Sequence, residues 1–245
     1  MLLIKLDATD STNAYLKELL VSQNPPDGTV VQTNWQKKGR GQLGRQWLSD
    51  PDKNLTISIL KKFEGLKVSD QFVLSIITSL AIATVLNKYG VPKVKVKWPN
   101  DILSGRHKLC GILVENIVKG TLIKSAIIGI GLNVNQDIFD SGLNATSIRL
   151  LTGNEIPLEL ILKDLLDEFQ LAMDQYLFKP MEPAQKAYEE LLYGRGGEMS
   201  FSTPEGETFL ATILGIDSSG RLRVKRASGV TKAYGLNEIR MVLKG

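Results

Sequence analysis

The chain has 245 residues, 43% of them hydrophobic and 23% charged, with a formal charge of +4, one histidine and one cysteine. That balance excludes disordered, collagen-like and coiled-coil chains, and a chain this long buries a core without a disulfide or metal staple. With only Cys110 and His107 available, an intramolecular disulfide, a cysteine zinc cluster and a histidine metal centre are excluded.

The apolar start is interrupted by Asp7 and Asp10, so no signal peptide is predicted. Apolar runs such as Ala126 to Leu132 fall short of the roughly 18 residues that span a bilayer. The expectation is a cytoplasmic protein with no membrane partner. Asp10-Ser11-Thr12-Asn13 offers capping groups ahead of Leu16, Leu19 and Leu20, which predicts a helix start. Pro25 to Gly28 is a turn, and Thr29 to Thr33 a strand. After a glycine- and arginine-rich stretch, Leu55, Ile57 and Ile59 alternate with polar residues, the pattern of a half-buried strand over Asn54 to Lys61. Ser69 to Tyr89 is the longest helical pattern, stopped by Gly90 and Pro92.

Val94, Val96 and Trp98 alternate with lysines in a strand that ends at Pro99-Asn100-Asp101. Lys108 to Val118 and Leu122 to Asn135 are strands joined by a hairpin at Lys119-Gly120. Pro157 to Phe178 and Glu182 to Tyr193 are helices. From Gly194 onward short strands dominate, including Thr208 to Ile216 and Arg221 to Ala227, and the turn spacing suggests a small barrel. The expected class is α+β: a mixed sheet with packed helices over residues 1–194, then a β-rich unit over 195–245.

Gly39-Arg40-Gly41-Gln42-Leu43-Gly44 matches G-x-G-x-x-G, but no helix follows it, so the dinucleotide fingerprint fails, as does a Walker A loop. What remains is a glycine loop with Arg40, Arg45, Lys37 and Lys38, suited to a phosphate or carboxylate; the alternative is a solvated basic turn. Lys97-Trp98-Pro99-Asn100-Asp101 sets a lysine, an amide and a carboxylate at a strand exit. There Asp101 could support a Mg²⁺ on nucleotide phosphates or simply cap a turn. Lys108 stands at a strand mouth, where it reaches a site or only solvent. Gly129 and Gly131 interrupt an apolar strand, which a ligand against the backbone or a β-bulge would explain. His107 and Cys110 are assigned structural roles.

In their motifs and order, Ser11-Thr12-Asn13, Gly39 to Trp47, Lys97 to Asp101, Lys108 to Glu115 and Gly129 to Asn133 resemble the biotin–protein ligases across nearly the whole chain. The resemblance implies a catalytic sheet like that of class II aminoacyl-tRNA synthetases, and an SH3-like C-terminal domain. It also implies a two-step reaction. Biotin and ATP give biotinyl-5′-AMP and pyrophosphate, and biotin then passes to a lysine of a biotin carboxyl carrier protein or domain of a biotin-dependent carboxylase.

By position, the resemblance assigns Ser11, Thr12 and Gln36 to biotin's ureido end, and Gly39, Arg40 and Gln42 to a loop closing over biotin and the acyl-phosphate. Lys108 would neutralise charge between the carboxylate and the α-phosphate, with Gly111, Gly129 and Gly131 letting the backbone approach biotin. Trp47 would stack on adenine, and Asn100, Asn133, Lys97 and Arg45 would meet the nucleotide. Arg40, Lys108 and Asp101 are the catalytic candidates, with Asp101 also the candidate for Mg²⁺.

The family pattern is Gly-Arg-Gly-Arg, and Gln42 replaces its second arginine, keeping hydrogen-bonding capacity and losing the charge. Because Ser11 lies so near the start, the expectation is a monofunctional ligase without the DNA-binding domain some members carry, and no DNA partner. A monomer or homodimer is expected, with strand 108–118 able to lend an edge. The alternatives are a lipoate–protein ligase on the same body, or a non-catalytic module whose basic strand Arg221 to Arg226 meets nucleic acid or protein.

Overall fold

The structure, a computed structural model, describes residues 2–243. Seven strands form one mixed sheet: β1 (Leu3–Thr9), β2 (Val30–Gln36), β3 (Leu55–Lys62), β4 (Val94–Lys97), β5 (Asp101–Ser104), β6 (His107–Lys119) and β7 (Leu122–Leu132). Their order is β1-β2-β3-β7-β6-β5-β4, and only β1 and β2 run parallel. The parallel pair is connected by α1 (Thr12–Gln23), whose first turn is capped by the Ser11 hydroxyl, as its sequence predicts.

Helix α1 lies on one face of the sheet, where Leu16 closes over Val31, Leu60 and Ile127. That corrects the expectation for β3. Leu55 to Leu60 are buried on both faces, Thr56 and Ser58 included, because α1 covers the side its alternation assigned to solvent. The opposite face receives α2 (Phe72–Lys88), α4 (Leu158–Tyr176) and α5 (Met181–Leu191), and a short α3 (Ile148–Thr152) follows the sheet. The expected helix over 69–89 divides into a 3₁₀ turn at Val68–Asp70 and α2 proper. By length and apolarity Val68–Lys88 could cross a bilayer, a stretch the apolar-run reading overlooked. In the fold most of its side chains from Phe72 to Leu86 pack into the core, Thr84 being exposed.

Two hairpins govern the site. Lys97 and Asp101 pair directly across the tight β4–β5 connection, so the expected strand exit is a hairpin whose second strand begins at Asp101. The β6–β7 hairpin, turned at Gly120, sets Gly111 opposite Gly131 and Leu113 opposite Gly129. β5 accompanies β6 only as far as Gly111, so among the described residues the rest of β6 pairs with β7 alone.

The C-terminal strands are β8 (Glu198–Ser202), β9 (Thr208–Ile216), β10 (Leu222–Arg226), β11 (Thr231–Tyr234) and β12 (Arg240–Val242). They form an open antiparallel sheet, β11-β10-β9-β8-β12, and not the closed barrel expected from the turn spacing. The short strands β11 and β12 end on opposite edges and do not pair with each other. This sheet is fastened to the larger one. Trp98 Nε1 donates to Gly220 O at 2.9 Å, Glu189 of α5 accepts from Ile216 N at 2.9 Å, and the Phe72 ring of α2 fills the space where a Cβ on Gly220 would lie.

Gly220 turns at φ +83° with the Phe72 ring where a Cβ would lie, whereas Gly229 turns at φ +85° into open space. Gly229→Ala should therefore lose about 1–2 kcal/mol from the left-handed backbone alone. Gly220→Ala should lose about 1–3 kcal/mol more from overpacking. Urea unfolding of the two variants checks this; equal losses would show that Phe72 does not hold the turn.

Candidate active site

A cavity of about 540 Å³ opens where the first turn of α1, the 39–47 loop, the β4–β5 connection, the middle of β6 and β7, and C-terminal segments around 203 and 240 converge. One end is neutral and polar. Thr12 N donates to Gln36 Oε1 at 2.8 Å, with Thr12 Oγ1 3.1 Å from the same oxygen. The buried Ser58 hydroxyl lies 2.7 Å from Thr12 Oγ1 and 2.5 Å from Asn13 Oδ1. The Asn13 amide Nδ2 in turn donates to Glu115 Oε2 at 2.7 Å and to Leu113 O at 3.4 Å.

The 39–47 loop folds back on itself. Gly41 N donates to Arg45 O at 2.7 Å and Trp47 N to Gly39 O at 2.9 Å, with Gln42–Gly44 forming one 3₁₀ turn between. No helix follows, in agreement with rejecting the dinucleotide fingerprint. The loop lays the Trp47 indole on the flat patch made by paired Gly111 and Gly131: a Cβ on Gly131 would overlap the ring, and one on Gly111 would come within 3.2 Å of it. A Cβ on Gly129 would overlap the Asn13 amide. No bulge interrupts β7 at these glycines. They give their space to Asn13 and Trp47, two side chains of the chain itself. The indole Nε1 is buried without a hydrogen-bond partner.

The other end is cationic. Arg40, Arg45, Lys97, Lys108 and Arg240 line the cavity, and Asp101 is the one carboxylate among its described lining residues. Asp101 Oδ1 sits 2.6 Å from Lys108 Nζ, which also lies 5.5 Å from the Trp47 ring centroid. Burial, more than any charge, holds the Lys97 ammonium below the usual lysine range. Asp101 opposes that shift, while Lys108, Arg240 and Arg45 add to it. Such a cluster of cations around one carboxylate is built to receive an anion of several charges.

Of the sequence candidates, Ser11, Thr12, Gln36, Arg40, Gln42, Arg45, Trp47, Lys97, Asn100, Asp101, Lys108, Gly111, Gly129 and Gly131 come together on this cavity. Asn100 spends its amide nitrogen on Ile112 O at 2.9 Å. Gly39 lies on an adjoining cavity instead, packed against the Trp47 carbonyl and Gln36. Asn133 lies off the lining: its amide donates to Thr146 O at 3.0 Å and its carbonyl oxygen is buried without a partner. Cys110 is fully buried, with its thiol pushed far above the usual range by that burial, and is no nucleophile. The sequence reading missed Ser58, Glu115 and Arg240. Ser58 was visible only as a polar position in an alternating strand, and Arg240 gave no local signal at all.

Among the described residues no three histidine, cysteine or acidic side chains gather as a metal cage. The donor set suits Mg²⁺ only as an ion carried by phosphates and touched by one carboxylate, which is how that ion is commonly held.

Residues 6–133 match the model of the Biotin/lipoate A/B protein ligase family. The chain is 32% identical over 237 residues to a bifunctional ligase/repressor, BirA, of Bacillus spizizenii, covering 95% of this chain and 72% of that protein. It is 29% identical over 234 residues to a biotin–[acetyl-CoA-carboxylase] ligase of Paracoccus denitrificans, covering 91% and 94% of the two chains. Among solved structures, the biotin protein ligase of Aquifex aeolicus in complex with biotin and ATP superposes with a TM-score of 0.82 at 26% identity, covering 99% of each chain.

The charge arrangement sets a signed prediction for Lys97. Removing a repelling cation by Arg240→Gln should raise its titration midpoint, and Asp101→Asn should lower it, as read by ε-carbon lysine NMR. A midpoint indifferent to Arg240→Gln would mean that the C-terminal segment does not face the site.

Proposed function

Because the chain belongs to the biotin/lipoate A/B protein ligase family, we propose that it joins biotin to a protein lysine through an adenylate. The observation that carries this reading is one cavity with a neutral hydrogen-bonding end at Thr12 and Gln36 and a cationic end at Lys97, Lys108 and Arg240. Biotin has a neutral ureido group at one end and a carboxylate at the other, which must approach a polyphosphate.

The chemistry follows from that placement. Biotin's carboxylate oxygen attacks the α-phosphorus of ATP, the bond to the bridging oxygen breaks, and pyrophosphate leaves. Two anions must meet for this, so the residues act by neutralising charge and fixing approach. Lys108, paired with Asp101 on the lining, is read as meeting the carboxylate, and Arg40, Arg45 and Lys97 as serving the phosphates. A carrier lysine amine then attacks the acyl carbon, AMP leaves, and the amine gives up a proton; Asp101 is the carboxylate at hand on the lining to take it. Mg²⁺, bound through the phosphates and Asp101, would add further neutralisation. Ser11, Thr12 and Gln36 hold the ureido end, while the loop of Gly39, Arg40 and Gln42 closes above. Trp47 and Asn100 are read as the adenine side. Asn133 belongs to the same nucleotide-side reading, with its amide held by Thr146 O and its buried carbonyl oxygen without a partner.

The same reading divides the chain at 194/195 into a catalytic unit and a smaller unit of SH3-like type, supported by the separate C-terminal sheet. It places the reaction in the cytoplasm, with the carrier protein or domain of a biotin-dependent carboxylase as partner. A base-stacking C-terminal module is disfavoured, because Arg226 lies 4.0 Å above the Phe209 ring and Lys232 4.6 Å from the Tyr234 ring.

Incubation with ATP, Mg²⁺, biotin and a biotin-acceptor domain should raise the acceptor's intact mass by one biotin, and mutating the acceptor lysine should abolish the gain. Gain only with lipoate and a lipoyl domain would overturn the substrate. Lys108→Gln should slow adenylate formation by about 10²–10³-fold, the scale of losing a charge-stabilising donor, measured as biotin-dependent pyrophosphate release. Gln42→Arg should slow dissociation of biotinyl-5′-AMP by restoring a cation to the loop. Equal off-rates would show that position 42 does not hold the anhydride.

A further inference from the structure

The polar end of the cavity contains a proton-counting problem whose solution lies outside the cavity. Three oxygen–oxygen contacts run in series, Gln36 Oε1 to Thr12 Oγ1, Thr12 Oγ1 to Ser58 Oγ, and Ser58 Oγ to Asn13 Oδ1. Only two hydroxyl hydrogens are available to fill them, and the direction in which they point depends on Asn13. If the Asn13 amide were turned over, its oxygen would face both the Glu115 carboxylate and Leu113 O, three acceptors with no hydrogen between them. An ionised carboxylate only accepts, so Glu115 holds Nδ2 toward itself and Oδ1 toward Ser58.

The consequence runs back along the chain. Ser58 must give its one hydrogen to Oδ1, which has none to offer. The 2.7 Å contact between Ser58 and Thr12 is then filled by the Thr12 hydrogen. Gln36 Oε1 is satisfied by Thr12 N–H, its 3.1 Å contact with Thr12 Oγ1 is the one left without a hydrogen, and the remaining lone pair of Thr12 Oγ1 is left for the cavity. We propose that Glu115 is a positioning residue that fixes the hydrogen-bond polarity of this network, so that Thr12 Oγ1 faces the ligand as an acceptor for an N–H group. This rests on the biotin reading, in which the ureido group supplies that N–H. Glu115 itself lines the adjoining cavity, beyond Asn13, and acts through Asn13 and Ser58.

The test is steady-state kinetics with biotin and ATP varied separately, accompanied by direct titration of biotin into the protein without ATP. Glu115→Leu should raise the KM and Kd for biotin about tenfold, the scale of one hydrogen bond in a buried site, and leave the KM for ATP in place. Glu115→Gln, whose oxygen still accepts from Asn13, should stay within about threefold of the natural chain. Asn13→Asp beside an intact Glu115 should weaken biotin strongly. The exchange Asn13→Asp with Glu115→Gln should recover much of the loss, because an aspartate at 13 again accepts from Ser58 and from the new amide. A biotin KM unmoved by Glu115→Leu, or a parallel rise for both substrates, overturns the proposal. Should Glu115→Leu fail to fold, the exchange pair decides, and no recovery over Asn13→Asp overturns it. If the natural chain itself neither binds nor transfers biotin, the underlying reading fails first, and that failure is visible before any variant is made.

Discussion

The 2.6 Å ion pair between Asp101 and Lys108 is the contact on which the cationic end of the cavity depends. Lys97, Lys108, Arg45 and Arg240 would otherwise face one another with no countercharge on the described lining. Unlike charges at this distance relieve much of that repulsion, the more so where solvent is partly excluded. The pair is also a product of strand register. Asp101 is opposite Lys97 on one side and opposite Gly111 on the other, which brings it beside the Lys108 ammonium at the start of β6.

A second constraint is the flatness of the sheet beneath the loop. Gly111 and Gly131 are cross-strand partners, and the missing pair of Cβ atoms makes a seat wide enough for an indole. The loop therefore closes through packing as well as through its own backbone hydrogen bonds. Gly129 plays a separate part, since its missing Cβ is occupied by Asn13 and so seats the start of α1 on the sheet. Helix position, loop position and strand composition are in this way one problem with one solution.

Much of this was legible in the chain. The Ser11 cap and the β6–β7 hairpin follow from local patterns whose partners are near in sequence, whereas the gathering of Lys97, Asp101 and Lys108 with the glycine loop was legible only through the resemblance to the ligases. What stayed hidden required long-range packing. β3 looked half-exposed because nothing in its alternation announces that α1 will cover the polar side. The C-terminal strands looked like a barrel because turn spacing is the same for an open meander, and only pairing tells the two apart. Glu115 is an ordinary acidic residue on a strand until Asn13, 102 positions away, reaches it. Asn133 followed a motif faithfully, yet its amide is spent on Thr146.

The link from Trp98 to Gly220 reaches beyond the geometry of the site. The C-terminal strands form a sheet of their own, but the buried core is shared: Phe72, Tyr188, Phe201 and Ile213 belong to one continuous cluster. If the C-terminal sheet came away alone, it would leave a buried indole N–H without an acceptor and would uncover the side of Phe72 that packs on Gly220, costs of kilocalories each. The order of the strand that carries Lys97 is thereby coupled to the order of the sheet that presents Arg240, so a change that loosens one is felt at the other.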